Sequence, residues 1–117
     1  MGRLTTHVLD TASGRPGQGI AVSVHRLDSD GRHEVARTVT NADGRCDAPL
    51  LEGAAFVAGR YEIVFAAGDY FRGRQPDLPE PPFVDEVVLR FGIADPGQHY
   101  HVPLLVSPWS YATYRGS

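Results

Sequence analysis

The chain has one cysteine, one methionine, one tryptophan and no lysine among its 117 residues. A lone Cys46 cannot close an internal disulfide, so the fold does not depend on an oxidising compartment. Nothing around Cys46 lowers a thiol pKa, and it reads as a small neutral residue in or beside a strand. Apolar runs stay far short of the ~18 residues a spanning helix needs, which excludes a helical membrane protein. Met1-Gly2-Arg3-Leu4-Thr5-Thr6-His7 lacks the apolar stretch of a secretory signal, and Arg115-Gly116-Ser117 is not a peroxisomal address, so a cytoplasmic location is expected. All eleven basic residues are arginine, yet the net charge is −3 and no basic block occurs, so nucleic acid is not an expected partner. There is no G-x-S-x-G elbow, P-loop, G-x-G-x-x-G or Cys-x-x-Cys, which leaves serine-hydrolase, nucleotide-binding and zinc-ribbon readings without support.

The 42% hydrophobic and 21% charged fractions are those of an ordinary globular chain, and the length suits one domain over residues 1–117. Period-two alternation marks short strands. They fall at Leu4–Leu9, Ile20–Leu27, Glu34–Thr40, a short piece near Arg45–Ala48, Arg60–Ala66, Glu86–Ile93 and His99–Val106, with a further one at Tyr111–Tyr114. That number in so short a chain means an all-β fold of two packed sheets or a barrel. Asp28-Ser29-Asp30-Gly31, Asn41-Ala42-Asp43-Gly44 and Asp95-Pro96-Gly97 carry turn chemistry and read as hairpins. Pro76, Pro79, Pro81 and Pro82 make Gln75–Pro82 a surface loop or edge. Before it, Asp69-Tyr70-Phe71-Arg72 is expected to form one or two helical turns with Asp69 as N-cap.

Residues two apart in a strand share a face. Tyr100, Val102 and Leu104 make the better core face, which turns His99 and His101 outward. By the same count Leu4, Thr6 and Val8 face inward and His7 outward, so neighbouring strands would bring His7 and His101 to one surface. The histidines admit three readings: solvated surface residues, a zinc site of His7, His99 and His101 with no carboxylate to orient it, or general acid/base catalysis near neutral pH. Arg45, just past a turn, is locally an ordinary exposed arginine, yet its planar fork suits adjacent carbonyls or a developing oxyanion. The end Tyr114-Arg115-Gly116-Ser117 packs an aromatic hydroxyl, a guanidinium, a hydroxyl and the chain carboxylate together. Chain ends fray unless held, so this density of polar groups points to a site.

The segments Leu4–Pro16 (Leu-Thr-Thr-His-Val-Leu-Asp-Thr-Ala-Ser-Gly-Arg-Pro), Thr40–Arg45, Phe91–Asp95, His99–Leu105 (His-Tyr-His-Val-Pro-Leu-Leu) and the Tyr-Arg-Gly-Ser terminus closely resemble those of the 5-hydroxyisourate hydrolases, the transthyretin-related enzymes of urate degradation. The resemblance spans essentially the whole chain, and its last two motifs are the most specific. It implies a prealbumin-like sandwich of two four-stranded antiparallel sheets with one short helix after the fifth strand. It also implies a homotetramer, a dimer of dimers, with active sites in a channel lined by outward sheet faces, and no metal or organic cofactor.

Carried over by position, the resemblance implies catalytic roles for His7, Arg45, His101 and Ser117, and substrate contacts from His7, Arg45 and Tyr114. Trp109 stands where these enzymes vary, and His99 is a supporting residue. The implied substrate is 5-hydroxyisourate, hydrolysed with His101 or His7 activating water and Arg45 facing the oxyanion. Two other readings share the fold: a small-ligand carrier, which would not need both histidines and the arginine, and a non-catalytic module appended to a larger chain, which would lack the His-Tyr-His segment.

Overall fold

The computed structural model describes residues 2–116. In chain order the elements are β1 (Arg3–Asp10), β2 (Arg15–Pro16), β3 (Ala21–Asp28), β4 (Gly31–Val39), β5 (Leu51–Glu52), a 3-10 turn at Gly53–Ala55, β6 (Gly59–Phe65), α1 (Ala67–Arg72), β7 (Val87–Ile93), β8 (Tyr100–Val106) and β9 (Tyr111–Thr113). One sheet runs β2-β1-β8-β9 with β5 also paired to β1, and the other runs β4-β3-β6-β7. The expected two-sheet sandwich is thus present, but the first sheet has five strands rather than four, two of them the two-residue β2 and β5. One pairing departs from the antiparallel rule: β1 and β8 run parallel, Leu4 opposite Tyr100 and Thr5 opposite His101.

Alternation decides which faces meet. Leu4 and Val8 of β1, Val22 and Val24 of β3, Ile63 and Phe65 of β6, Val87 of β7 and Leu104 and Val106 of β8 are all at or below 1% exposure and form one apolar cluster. Burying such side chains contributes roughly 1.5–3 kcal/mol each and outweighs local propensity. Asp10 closes the end of β1 from inside: its carboxylate accepts the Ala12 and Ser13 amides at 2.9 and 3.1 Å and the Tyr70 hydroxyl at 2.8 Å. Burial, then that bond, pushes the Tyr70 phenol up to about 12. The bond ties α1 to the first sheet.

Three expectations need correction. The Asp28–Gly31 turn does form the β3–β4 hairpin, but Asn41–Gly44 and Asp95–Gly97 carry the chain from one sheet to the other, because alternation marks strands without naming their partners. The piece near Arg45–Ala48 is not a strand; it makes one isolated bridge, His7 to Arg45, before β5 begins at Leu51. Side-chain bonding competes with the ladder there: Asn41 Oδ1 accepts the Asp43 and Arg45 amides at 2.9 and 3.2 Å while its amide donates to Asp47 at 2.9 Å. Finally, α1 starts at Ala67 with Ala66 at the cap position and no side-chain cap. Asp69 lies inside the first turn and pairs with Arg72, which also reaches Glu80.

Candidate active site

The outer edge of β1 is covered in three pieces. β5 pairs Arg3 and Leu4, β2 pairs Leu9 and Asp10, and between them the Asn41–Arg45 turn closes on His7 and Val8. The Val8 amide donates to the Gly44 carbonyl at 2.8 Å. Gly44 has φ of +73°, and a Cβ there would lie 2.4 Å from the Val8 carbonyl oxygen, so only glycine lets the turn approach this closely. The antiparallel bridge then puts the Arg45 and His7 side chains on one face of the sheet.

On the other edge of β1 the parallel ladder sets Thr5 beside His101 and His7 beside Pro103. His7, His99 and His101 are all half-buried on the outward face, as their alternation requires. Arg3, Thr5, Arg45, Cys46, His99 and His101 contribute to the lining of an open cleft of about 490 Å³. The Thr5 hydroxyl lies 2.9 Å from His101 Nδ1 and 3.2 Å from His99 Nε2. The tail returns to this point: the Gly116 amide donates to the His101 carbonyl at 2.6 Å, and a Cβ on Gly116 would come within 2.9 Å of His101 Cδ2. Arg115 holds the tail there, donating to the His99 carbonyl at 2.9 Å and lying over the Tyr100 ring at 4.1 Å.

Electrostatics favour an uncharged His101. Burial lowers its pKa, and the Arg45 charge, His7 and His99 push the same way. A neutral imidazole beside a guanidinium can take a proton from water while the cation faces the charge that then develops. Burial pushes the Cys46 thiol up, away from a nucleophilic thiolate. Among the described residues, no three His, Cys, Asp or Glu side chains form a metal-ligand group.

The structure brings Arg45 and His101 to one cleft; His7 is not among its lining residues but is bridged to Arg45 and close enough to His101 to act on its charge. Tyr114 is 61% exposed and lines a neighbouring hollow with His99, Arg115 and Gly116 rather than this cleft. Ser117 lies outside the described residues. Thr5, which touches both β8 histidines, escaped the sequence reading; its signal was the even spacing from His7, usable only once the β1–β8 register is known.

The profile of the HIUase/Transthyretin family matches residues 4–116. A 5-hydroxyisourate hydrolase of Ralstonia nicotianae is 61% identical over 117 residues, covering all of both chains. Among solved structures, (S)-allantoin synthase superposes with a TM-score of 0.93 at 48% identity, and the chain covers 99% of itself and 44% of that longer protein. Sea bream transthyretin in complex with thyroxine superposes at 0.87 with 29% identity, over 97% of this chain and 94% of that one. A two-sheet sandwich, histidines on the outward face of β1 and β8, and a match running almost from end to end agree: the chain belongs to the HIUase/Transthyretin family.

Proposed function

We propose that His7, Arg45 and His101 form the hydrolytic centre with which this chain opens 5-hydroxyisourate. The activity is that of its full-length relatives at about 60% identity. The carrying observation for the site is that Arg45 and a His101 with lowered pKa line the same cleft beside His7. One histidine removes a proton from water, the hydroxide adds to the C6 carbonyl, and Arg45 stabilises the oxyanion. The N1–C6 bond then breaks, the proton passes to N1, and the product is 2-oxo-4-hydroxy-4-carboxy-5-ureidoimidazoline. Proton transfer of this kind contributes roughly 10²–10⁴-fold.

The reading extends to a cytoplasmic homotetramer, a dimer of dimers, in which Tyr114 and Ser117 hold the ring and the water in line. Support comes from β7 and β9, whose outer edges are unpaired among the described residues and which jointly line a hollow containing Tyr114. Open edges of this kind favour pairing with another chain.

The test is direct. Urate and uricase generate 5-hydroxyisourate in the cuvette, and its ultraviolet absorbance should decay faster with this protein present. An unchanged decay would leave the carrier reading. Deleting 114–117 should abolish the acceleration while far-ultraviolet circular dichroism stays that of the intact fold.

A further inference from the structure

The three outward histidines differ in what holds them. Among the described residues the His7 ring takes no hydrogen bond, whereas His101 and His99 both meet the Thr5 hydroxyl, at 2.9 and 3.2 Å. A threonine hydroxyl has one proton to give and lone pairs to accept with. It can therefore donate to only one of the two imidazoles, and the other, when neutral, must donate to it. The two tautomers are coupled through a single oxygen.

We propose that Thr5 is a positioning residue that accepts the His101 Nδ1 proton and donates to His99 Nε2, leaving the His101 Nε2 lone pair as the base that activates water. This rests on the hydrolytic reading of the cleft and goes one step further, choosing His101 over His7. The opposite orientation would place a proton on His101 Nε2, and the neutral ring could then only donate into the cleft. The chosen one serves both stages of the reaction. When His101 takes a proton at Nε2, its Nδ1 still donates to Thr5, so the hydroxyl does not have to turn. His99 is thereby an acceptor that orients the hydroxyl, a task for an imidazole that does not itself touch substrate.

The ring is confined on its other side as well. Gly116 packs against His101 with no room for a Cβ, and its amide bonds the His101 carbonyl at 2.6 Å. The charged or titratable groups facing His101 are Arg45 from the turn, His7 from β1 and His99 from its own strand. Arg3, Cys46 and Asp47 line the same cleft. None of these is a carboxylate bonded to the imidazole, so the neutral hydroxyl carries the orienting function.

The experiment begins with the unmodified protein. Nitrogen-15 shifts of the His101 ring above its pKa should show the proton on Nδ1; a proton on Nε2 overturns the proposal without any variant having to fold. Thr5→Val keeps the shape and removes the hydroxyl. It should lower kcat about 10- to 100-fold, the range for losing a group that orients a functional histidine, with KM little changed. The acid limb of the kcat/KM profile should move to lower pH, because the imidazolium loses an acceptor. Thr5→Ser should restore most of the rate. A Thr5→Val enzyme with normal kcat and pH profile, tested beside an inactive His101→Asn enzyme, overturns the role of Thr5 alone. An active His101→Asn enzyme overturns the cleft reading itself, and Thr5 with it.

Discussion

Both sheets turn a histidine to their outer face, and they treat it in opposite ways. On β3, His25 is 7% exposed, its Nε2 lies 2.9 Å from the Ser23 hydroxyl, and it stands opposite Glu62 of β6. Serine, histidine and a carboxylate on one face have the composition of a nucleophile triad. Glu62, however, is committed elsewhere, accepting from Arg32 at 3.0 Å and from Arg90 at 2.8 and 2.9 Å. On β1 and β8 the histidines have no such carboxylate; their neighbours are a hydroxyl, a guanidinium and one another. Burial is the first cause lowering both His25 and His101, so a depressed pKa does not separate them. An arginine is the second cause in each case, Arg32 for His25 and Arg45 for His101; what sets His101 apart is the open cleft that it lines together with that arginine.

The largest effect that follows from this contrast is at Arg45. Arg45→Ala should reduce kcat/KM by about 10²–10³-fold, as loss of an oxyanion donor does. It should also raise the acid limb of the pH profile, since the Arg45 charge is the second cause holding His101 down. A variant with near-normal kcat/KM removes Arg45 from the chemistry. Next in size is Gly116→Ala, whose new methyl would meet His101 at 2.9 Å. Displacing a reacting group by a fraction of an ångström costs on the order of 10-fold, and KM and kcat measured with the fold verified by circular dichroism check it.

Much of this contrast could be read from the residues in order, and some of it could not. Alternation alone turned His7, His99 and His101 outward, and the structure agrees. The Asn41-Ala42-Asp43-Gly44 turn was visible because its residue types serve left-handed backbone and Asx bonding. What it delivers, an arginine docked on His7, was not, since that depends on which sheet the chain enters next. Thr5 remained hidden for the same reason: its partners lie 94 and 96 residues away across a parallel ladder. Tyr114 is exposed and lines a neighbouring hollow in the single chain, so its part in the site rests on the proposed tetramer.

The second sheet offers effects on stability in place of rate. Glu62→Gln removes the charge that two arginines share and should cost about 1–3 kcal/mol, the range for charge-assisted bonds to a buried partner, while kcat/KM stays within about twofold. The Arg90 bond comes first among the causes holding this carboxyl below its ordinary 4.5. The charged form is thus favoured by folding, and its contribution is complete above that value and fades as pH falls through the folded pKa. Urea midpoints measured downward from neutral pH should therefore fall more steeply in the unmodified protein than in Glu62→Gln.

The smallest expected effect is the sharpest on the central contrast. His25→Gln replaces an imidazole whose pKa is lowered from 6.5, first by burial and next by Arg32, with a neutral group able to bond Ser23. If the second sheet does no chemistry, kcat/KM should stay within about twofold at every pH, a change of well under 1 kcal/mol in barrier. Stability behaves differently. A histidine kept neutral by folding contributes nothing adverse above pH 6.5, but below it the unfolded chain takes up the proton first, so the folded form loses ground until the folded pKa is passed. The glutamine variant lacks that loss, and its urea midpoint relative to the unmodified protein should rise as pH drops below 6.5. A fall in kcat/KM beyond tenfold with an unaltered midpoint would instead give the second sheet a part in the reaction and erase the distinction between the two faces.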